Sequence, residues 1–453
     1  MRSKLIAIHI IVVVAAGILA GGCSSSEPRL VPTPTLQDPP ALRSDKSKPG
    51  PALPARAAAN VPAGPAFLAI EGEGIFRIEG GKTTLVAPLR DVQQLVLSAD
   101  GTLYALAGMD GVVHFAKGVA PGVRLDSMTG FMHLDKLAAG PSGALWALGL
   151  MGIYHYDGKV WSKEEKSVLG GGSLTKDIAV DPAGRPIIAT SNALFIKDGG
   201  AWRPVRAPKD TLSIEALTAS NGTVFALRGS SVLRVVDDGA ESLSLASMYS
   251  SSHFGVFGEE VHAVSKGEIR RLLGERVQVI KAQHAGFTAA HPNAVAVDGE
   301  WRTWVATEHG LVVVDVNGKA TEFPFGTLGN FGGNVKHLVV SGRGPLLPKP
   351  LPRATATIQG IVKKAGAGLI GQKLELCVGM PVLFSKGETP CASAPWRGQA
   401  QSASDGTYRF DDVPLGIYHV VLQGPDGRWT RMGKVGNGMR KGQVVTVGAY
   451  SFK

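Results

Sequence analysis

Five histidines, His114, His155, His262, His309 and His337, fall on or beside apolar, strand-like runs, and Glu308 directly precedes His309. Imidazole changes charge near neutral pH, so a histidine beside a carboxylate is common material for general acid–base catalysis. No His-x-Glu-x-His or similar cluster occurs, however, and scattered strand histidines are ordinarily packing residues. No Walker or dinucleotide glycine motif is present either, since Gly170-Gly-Gly-Ser opens no helical pattern. Neither a catalytic constellation, a metal site nor a cofactor is expected. Trp146, Trp161, Trp202, Trp301 and Trp304 recur within the repeats described below. Exposed ones would suit stacking on sugar rings, whereas packing between sheets is their more common use.

The elements that must position these residues are short. The 453 residues are 44% hydrophobic and 19% charged, with 59 Gly and 28 Pro spread between brief apolar runs. That composition excludes a disordered chain and disfavours a helical bundle, and it predicts many short strands joined by turns. A unit repeats about every 40 residues: Leu95-Val-Leu-Ser-Ala-Asp-Gly101, Leu137-Ala-Ala-Gly-Pro-Ser-Gly143, Ile178-Ala-Val-Asp-Pro-Ala-Gly184, then further copies marked by Gly222, Gly258 and Gly299. The marked glycines lie 36 to 42 residues apart, the size of a propeller blade. A partial unit, Phe67-Leu-Ala-Ile with Gly74-Ile-Phe-Arg-Ile, lacks an inner strand, and Val335-Lys-His-Leu-Val-Val-Ser-Gly342 offers one. The two ends are therefore expected to share a blade, closing a ring over 65–342 that leaves no edge exposed; the repeats count to seven blades, with six and eight as the alternatives.

Charge is uneven. The last 111 residues, from Arg343, hold fifteen basic and six acidic residues, whereas Cys23 to Gly342 is close to neutral. A basic C-terminal face suits an anionic polysaccharide or lipid head groups, and it also suits simple solubility; no nucleic-acid partner is expected. Cys377 and Cys391 lie fourteen apart and, in an exported protein, would close a loop by a disulfide worth about 3 kcal/mol. The alternative is two buried thiols.

Arg2 and Lys4 precede the apolar run Leu5 to Ala20, which ends at Gly21, Gly22 and Cys23. This is the layout of a secretory signal, not of a spanning helix. Leu19-Ala20-Gly21-Gly22-Cys23 resembles a bacterial lipobox, with Ala20 where leucine is the usual residue. The resemblance implies a signal peptide over 1–22, a diacylated Cys23 carrying palmitate or a similar chain, and, with Ser24 next to it, an outer-membrane destination. Residues 23–64 are rich in Pro and Ala and read as an extended tether.

Gly140-Pro-Ser-Gly-Ala-Leu-Trp-Ala with Gly152-Ile-Tyr-His-Tyr-Asp-Gly-Lys-Val-Trp161 resembles the repeat of two-component-regulator propellers and of the streptogramin lyase family. In the lyases a propeller histidine acts as general base beside a metal-bound carboxylate. The resemblance therefore implies His155, Glu308 and His309 as funnel candidates. After a Pro-rich linker over 343–354, Gly360-Ile-Val362, Asp405-Gly-Thr-Tyr-Arg-Phe410 and Pro414-Leu-Gly-Ile-Tyr418 resemble the carboxypeptidase regulatory-like domain. That implies a small prealbumin-like, carbohydrate-binding-like β-sandwich over 355–453, with Tyr408, Phe410 and Tyr418 in or at the rim of its core.

The expectation is an all-β, lipid-anchored lipoprotein of the cell envelope that binds an envelope polysaccharide or envelope protein without catalysis. The alternative is a lyase-like or hydrolase activity in the propeller funnel.

Overall fold

The structure is a computed structural model that describes residues 61–452, apart from short stretches of which 379–388 and 245–252 are the longest. Cys23, the signal segment, most of the tether and His309 lie outside the described residues.

The described residues between 63 and 342 form seven four-stranded antiparallel sheets. Within six of them the chain steps from strand to neighbouring strand, as in Val92–Leu97, Leu103–Ala107, Gly111–Phe115 and Val123–Arg124, and the seventh joins Val335–Gly342 to the strands of 63–87. The turns explain the repeating glycine. Gly101, Gly143 and Gly184 hold φ of 84°, 78° and 81°, and each N–H closes a turn on the carbonyl three residues back, at Ser98, Gly140 and Asp181. Left-handed backbone is cheap only for glycine. In the repeat marked by Gly299 the equivalent position is instead Trp301, with φ 56° and its N–H on Asp298 O. The turn therefore lies two residues beyond Gly299, with a non-glycine in the left-handed position.

Second strands such as Leu103–Ala107, Leu145–Gly149 and Thr303–Thr307 are buried along their whole length. A sheet stacked between two others has no solvent face, so its strands lose the alternation of a half-exposed sheet. Apolar clusters accordingly span neighbouring sheets, as where Ile187, Ile196, Leu217 and Val224 pack together. The first strands meet in chain order, from Val92–Leu97 through Leu134–Ala139, Thr175–Val180, Ala216–Ser220, His253–Phe257 and Pro292–Val297 to Val335–Gly342, which returns to Val92–Leu97. Val335–Gly342 also pairs with Ala63–Ile70, aligning His337 with Ala69. This all-β arrangement is that of a β-propeller.

Residues 355–452 add two further sheets. Thr355–Lys364 and Thr407–Pro414 pair in one; Lys373–Val378 and Tyr418–Gln423 pair in the other. Ala356, Ile358, Gly360 and Val362 alternate inward, and they meet Leu374, Leu376, Phe410, Tyr418 and Val420 in a common core. Tyr418 donates its hydroxyl to Pro414 O at 2.6 Å, fixing the turn before its own strand. Cys377 and Cys391 are joined by a disulfide, with Cα atoms 5.4 Å apart. This part of the chain touches the propeller through Arg440, paired with Glu73, and through Lys434, 3.7 Å from Glu71.

Candidate functional site

An inner strand of a ring of sheets has no ladder partner on its inward edge, so its backbone N–H and C=O groups need partners from elsewhere. Side chains of the neighbouring inner strand supply them here. His337 Nδ1 accepts from Leu95 N at 3.3 Å. Gln94 both accepts from Leu137 N at 2.7 Å and donates to Leu137 O at 3.1 Å. Asp177 accepts from Leu217 N at 2.8 Å and from its neighbour Ile178 N at 2.9 Å. Asn293 Nδ2 donates to Val335 O at 2.9 Å. The side chains that line the centre of the propeller therefore also fasten its sheets together.

The central cavity has a volume of about 490 Å³ and is walled by all seven inner strands. Lys136, Asp177, His253 and His337 interact electrostatically across it. Burial, then Lys136, then His253 depress His337 to about 4. Burial and Lys136 lower His253 in the same sense, and burial raises Asp177 against the opposing pull of Lys136. Both imidazoles are thus neutral at pH 7, and Lys136 carries positive charge into the cavity. Lys336 also lines it and pairs with Glu71 at 3.3 Å, the same carboxylate that reaches Lys434.

Of the described histidines among those singled out in the sequence, His337 lies here. His155 stacks on Trp146 with ring centroids 4.3 Å apart, between two sheets. Lys197 lies 5.2 Å from the Trp146 ring centroid and pairs with Glu164, which also accepts from Trp202 Nε1. Burial, then Lys197, lower the His155 pKa. Glu308 occupies the turn between Thr303–Thr307 and Gly310–Val314, in a different sheet, and acts electrostatically on His419 of the C-terminal part. The described residues thus give His155 and Glu308 separate surroundings. Trp146 and Trp304 are buried, the latter donating Nε1–H to Asp298 at 2.7 Å.

His262 sits in a carboxylate–imidazole–hydroxyl series that looks catalytic. Nε2 lies 2.7 Å from Glu260 and Nδ1 lies 2.8 Å from Thr303 Oγ1. Proton bookkeeping assigns it a structural role. Arg271 donates to Thr303 Oγ1 at 3.1 and 3.3 Å, so the hydroxyl proton goes to Nδ1 and Nε2–H goes to Glu260. Glu260, His262, Arg271 and Thr303 are all buried, and Arg271 also binds the carbonyls of Val314, Asp315 and Val316. No substrate reaches such a hydroxyl, and the network joins two adjacent sheets. Among the described residues no three His, Cys, Asp or Glu side chains are grouped to hold a metal ion.

Sequence reasoning missed Gln94, Lys136, Asp177 and His253. A signal was available: Gln94, Lys136, Asp177 and His337 each stand four residues before the residue that opens the following turn, Ser98, Gly140, Asp181 and Ser341. A polar side chain at one fixed register of an otherwise apolar strand marks the inward edge.

No protein-family description and no curated protein matches this sequence. Solved structures with a similar fold include virginiamycin B lyase from Staphylococcus aureus, at 17% identity over 55% of this chain and 93% of that one, with a TM-score of 0.43. The extracellular domain of a hybrid two-component system from B. thetaiotaomicron is 12% identical over 88% of this chain and 56% of its own, with a TM-score of 0.45. A gluconolactonase from Xanthomonas campestris is 14% identical over 46% of this chain and 80% of its own, with a TM-score of 0.34. These likenesses concern the fold, and proteins of quite different activity share it.

Proposed function

We propose that this chain is a non-catalytic lipoprotein of the cell envelope that binds an envelope glycan or protein at the central face of its propeller. In this reading residues 1–22 are a cleaved signal, Cys23 carries the lipid at the outer membrane, and 23–64 form the tether. Residues 65–342 make a seven-bladed ring, 343–354 a linker, and 355–453 a prealbumin-like sandwich that offers auxiliary basic contacts. The cycle of contacts among the inner strands supports the closed ring.

One observation carries the functional reading. Gln94, Asp177 and His337 Nδ1 around the central cavity are committed to holding backbone, while Lys136 supplies positive charge to it. Such a surface is suited to holding a ligand. The test immobilises the full chain in detergent, passes solubilised envelope over it and elutes with a salt gradient. Saturable retention of an unaltered glycan or protein is the expected result. Retention of nothing at low salt, or release of a chemically cleaved product, would overturn the proposal.

A further inference from the structure

The wall of the central cavity carries two hydrogen-bond donors that the architecture does not use. Neighbouring side chains at the inward edge are committed to backbone: Gln94 to both groups of Leu137, Asn293 to Val335 O, and Asp177 to the N–H of Leu217. The strand Leu134–Ala139 places Lys136 at that register, and an ammonium group cannot accept from the next strand. Asp177 takes over the task, accepting from its own neighbour Ile178 N as well. Lys136 is left with no hydrogen bond and no ion pair among the described residues, half-buried in the cavity wall.

His337 supplies the second donor. Its Nδ1 accepts from Leu95 N, which fixes the tautomer and puts the ring proton on Nε2. That N–H has no partner among the described residues, and the ring, half-buried, lines the cavity. Solvent reaches the cavity, since Gln93 and Lys336 on its wall are exposed. Its volume of about 490 Å³ is ordinary for a small-ligand site. The other charges of the wall are matched: both oxygens of Asp177 hold N–H groups, and Lys336 pairs with Glu71 at 3.3 Å. Lys136 acts electrostatically on His337, His253 and Asp177, so its ammonium group belongs to the same space as the free imidazole N–H.

We infer that Lys136 and His337 Nε2 receive a carboxylate of the ligand, an inference that rests on the binding role proposed above and names the group recognised. A carboxylate brings one negative charge to one cation and two acceptor oxygens to two donors. A phosphate monoester carries about −1.5 to −2 at pH 7, more than the single unmatched ammonium offsets. A neutral sugar or amide would displace water from that ammonium and supply no counter-charge.

The experiment titrates the full chain, followed by saturation-transfer NMR at up to millimolar concentration, with two carboxylates from different sources, glucuronate and N-acetylalanine, and with glucose as the neutral counterpart. Binding of at least one carboxylate is expected, and which one separates a saccharide source from a peptide source. Glucose should bind at least tenfold more weakly, a comparison that needs no variant. Lys136→Met, checked to melt at the wild-type temperature, should weaken carboxylate binding tenfold or more. Failure of both carboxylates to bind, equal binding of glucose, or unchanged affinity in Lys136→Met would overturn the inference. Any of these results beside saturable retention of envelope material would leave the binding role standing and remove only the carboxylate. Carboxylate binding without such retention would do the reverse.

Discussion

Replacing His337 by Asn should remove a defined part of the protein's acid sensitivity. In the folded state His337 Nδ1 accepts from Leu95 N, which requires a neutral ring, and burial followed by Lys136 and His253 holds its pKa at about 4 against an ordinary 6.5. Between those two values the unfolded chain binds a proton that the folded chain refuses. Stability therefore falls as pH drops from about 6.5 to about 4 and levels off below. At about 1.4 kcal/mol per pH unit the gap bounds the loss at ~3.5 kcal/mol, and partial solvent contact of the ring reduces it to ~2 kcal/mol. Asn offers Oδ1 near the place of Nδ1 and does not titrate. Asp177, raised by burial, contributes in the opposite sense, its share falling as pH rises through its folded pKa, and His253 adds acid sensitivity of its own. Both remain in the variant, so subtracting its profile isolates His337. The assay is urea unfolding from pH 7.5 to 4. A stability difference between wild type and His337→Asn that changes by ~2 kcal/mol over this range is expected. Parallel profiles would refute the reasoning.

Asp177→Ala strands the N–H groups of Ile178 and Leu217 and should cost ~2–4 kcal/mol in urea unfolding at pH 7. Arg440→Ala leaves the Glu73 side chain, 2% exposed, without its cation. Because Arg440 is itself half-exposed, a loss of ~1–3 kcal/mol is expected, read as a lower thermal midpoint that high salt barely changes further. Reducing the Cys377–Cys391 bridge should cost about 3 kcal/mol by loop closure, measured as the shift in unfolding midpoint with and without reductant.

The parts of the fold legible in the sequence were those with a strict local cause. Gly101, Gly143 and Gly184 announce turns because the backbone there is left-handed, and the apolar runs after them read as strands because those strands are buried on both faces. Trp301 broke the rule and shifted one repeat by two residues. The central site was harder to read. Lys136, Asp177, His253 and His337 come from four strands spread over some two hundred residues, and each alone looks like an isolated polar residue in an apolar strand. Only closing the ring brings them together. The Glu260–His262–Thr303–Arg271 network was illegible for the same reason, since two sheets contribute to it and its hydrogen bonds depend on packing. His155 stood out because of its motif, yet its neighbours are Trp146 and Lys197.

The central claim is that Lys136 and the cavity around it hold an envelope ligand without transforming it. The most direct measurement compares the full wild-type chain with Lys136→Glu, checked to have the same thermal midpoint, in retention from solubilised envelope at low salt. Saturable retention by wild type, reduced at least tenfold in Lys136→Glu, with the captured material eluting intact, is the expected result. Equal retention by the two proteins, or elution of a cleaved product, would contradict the account.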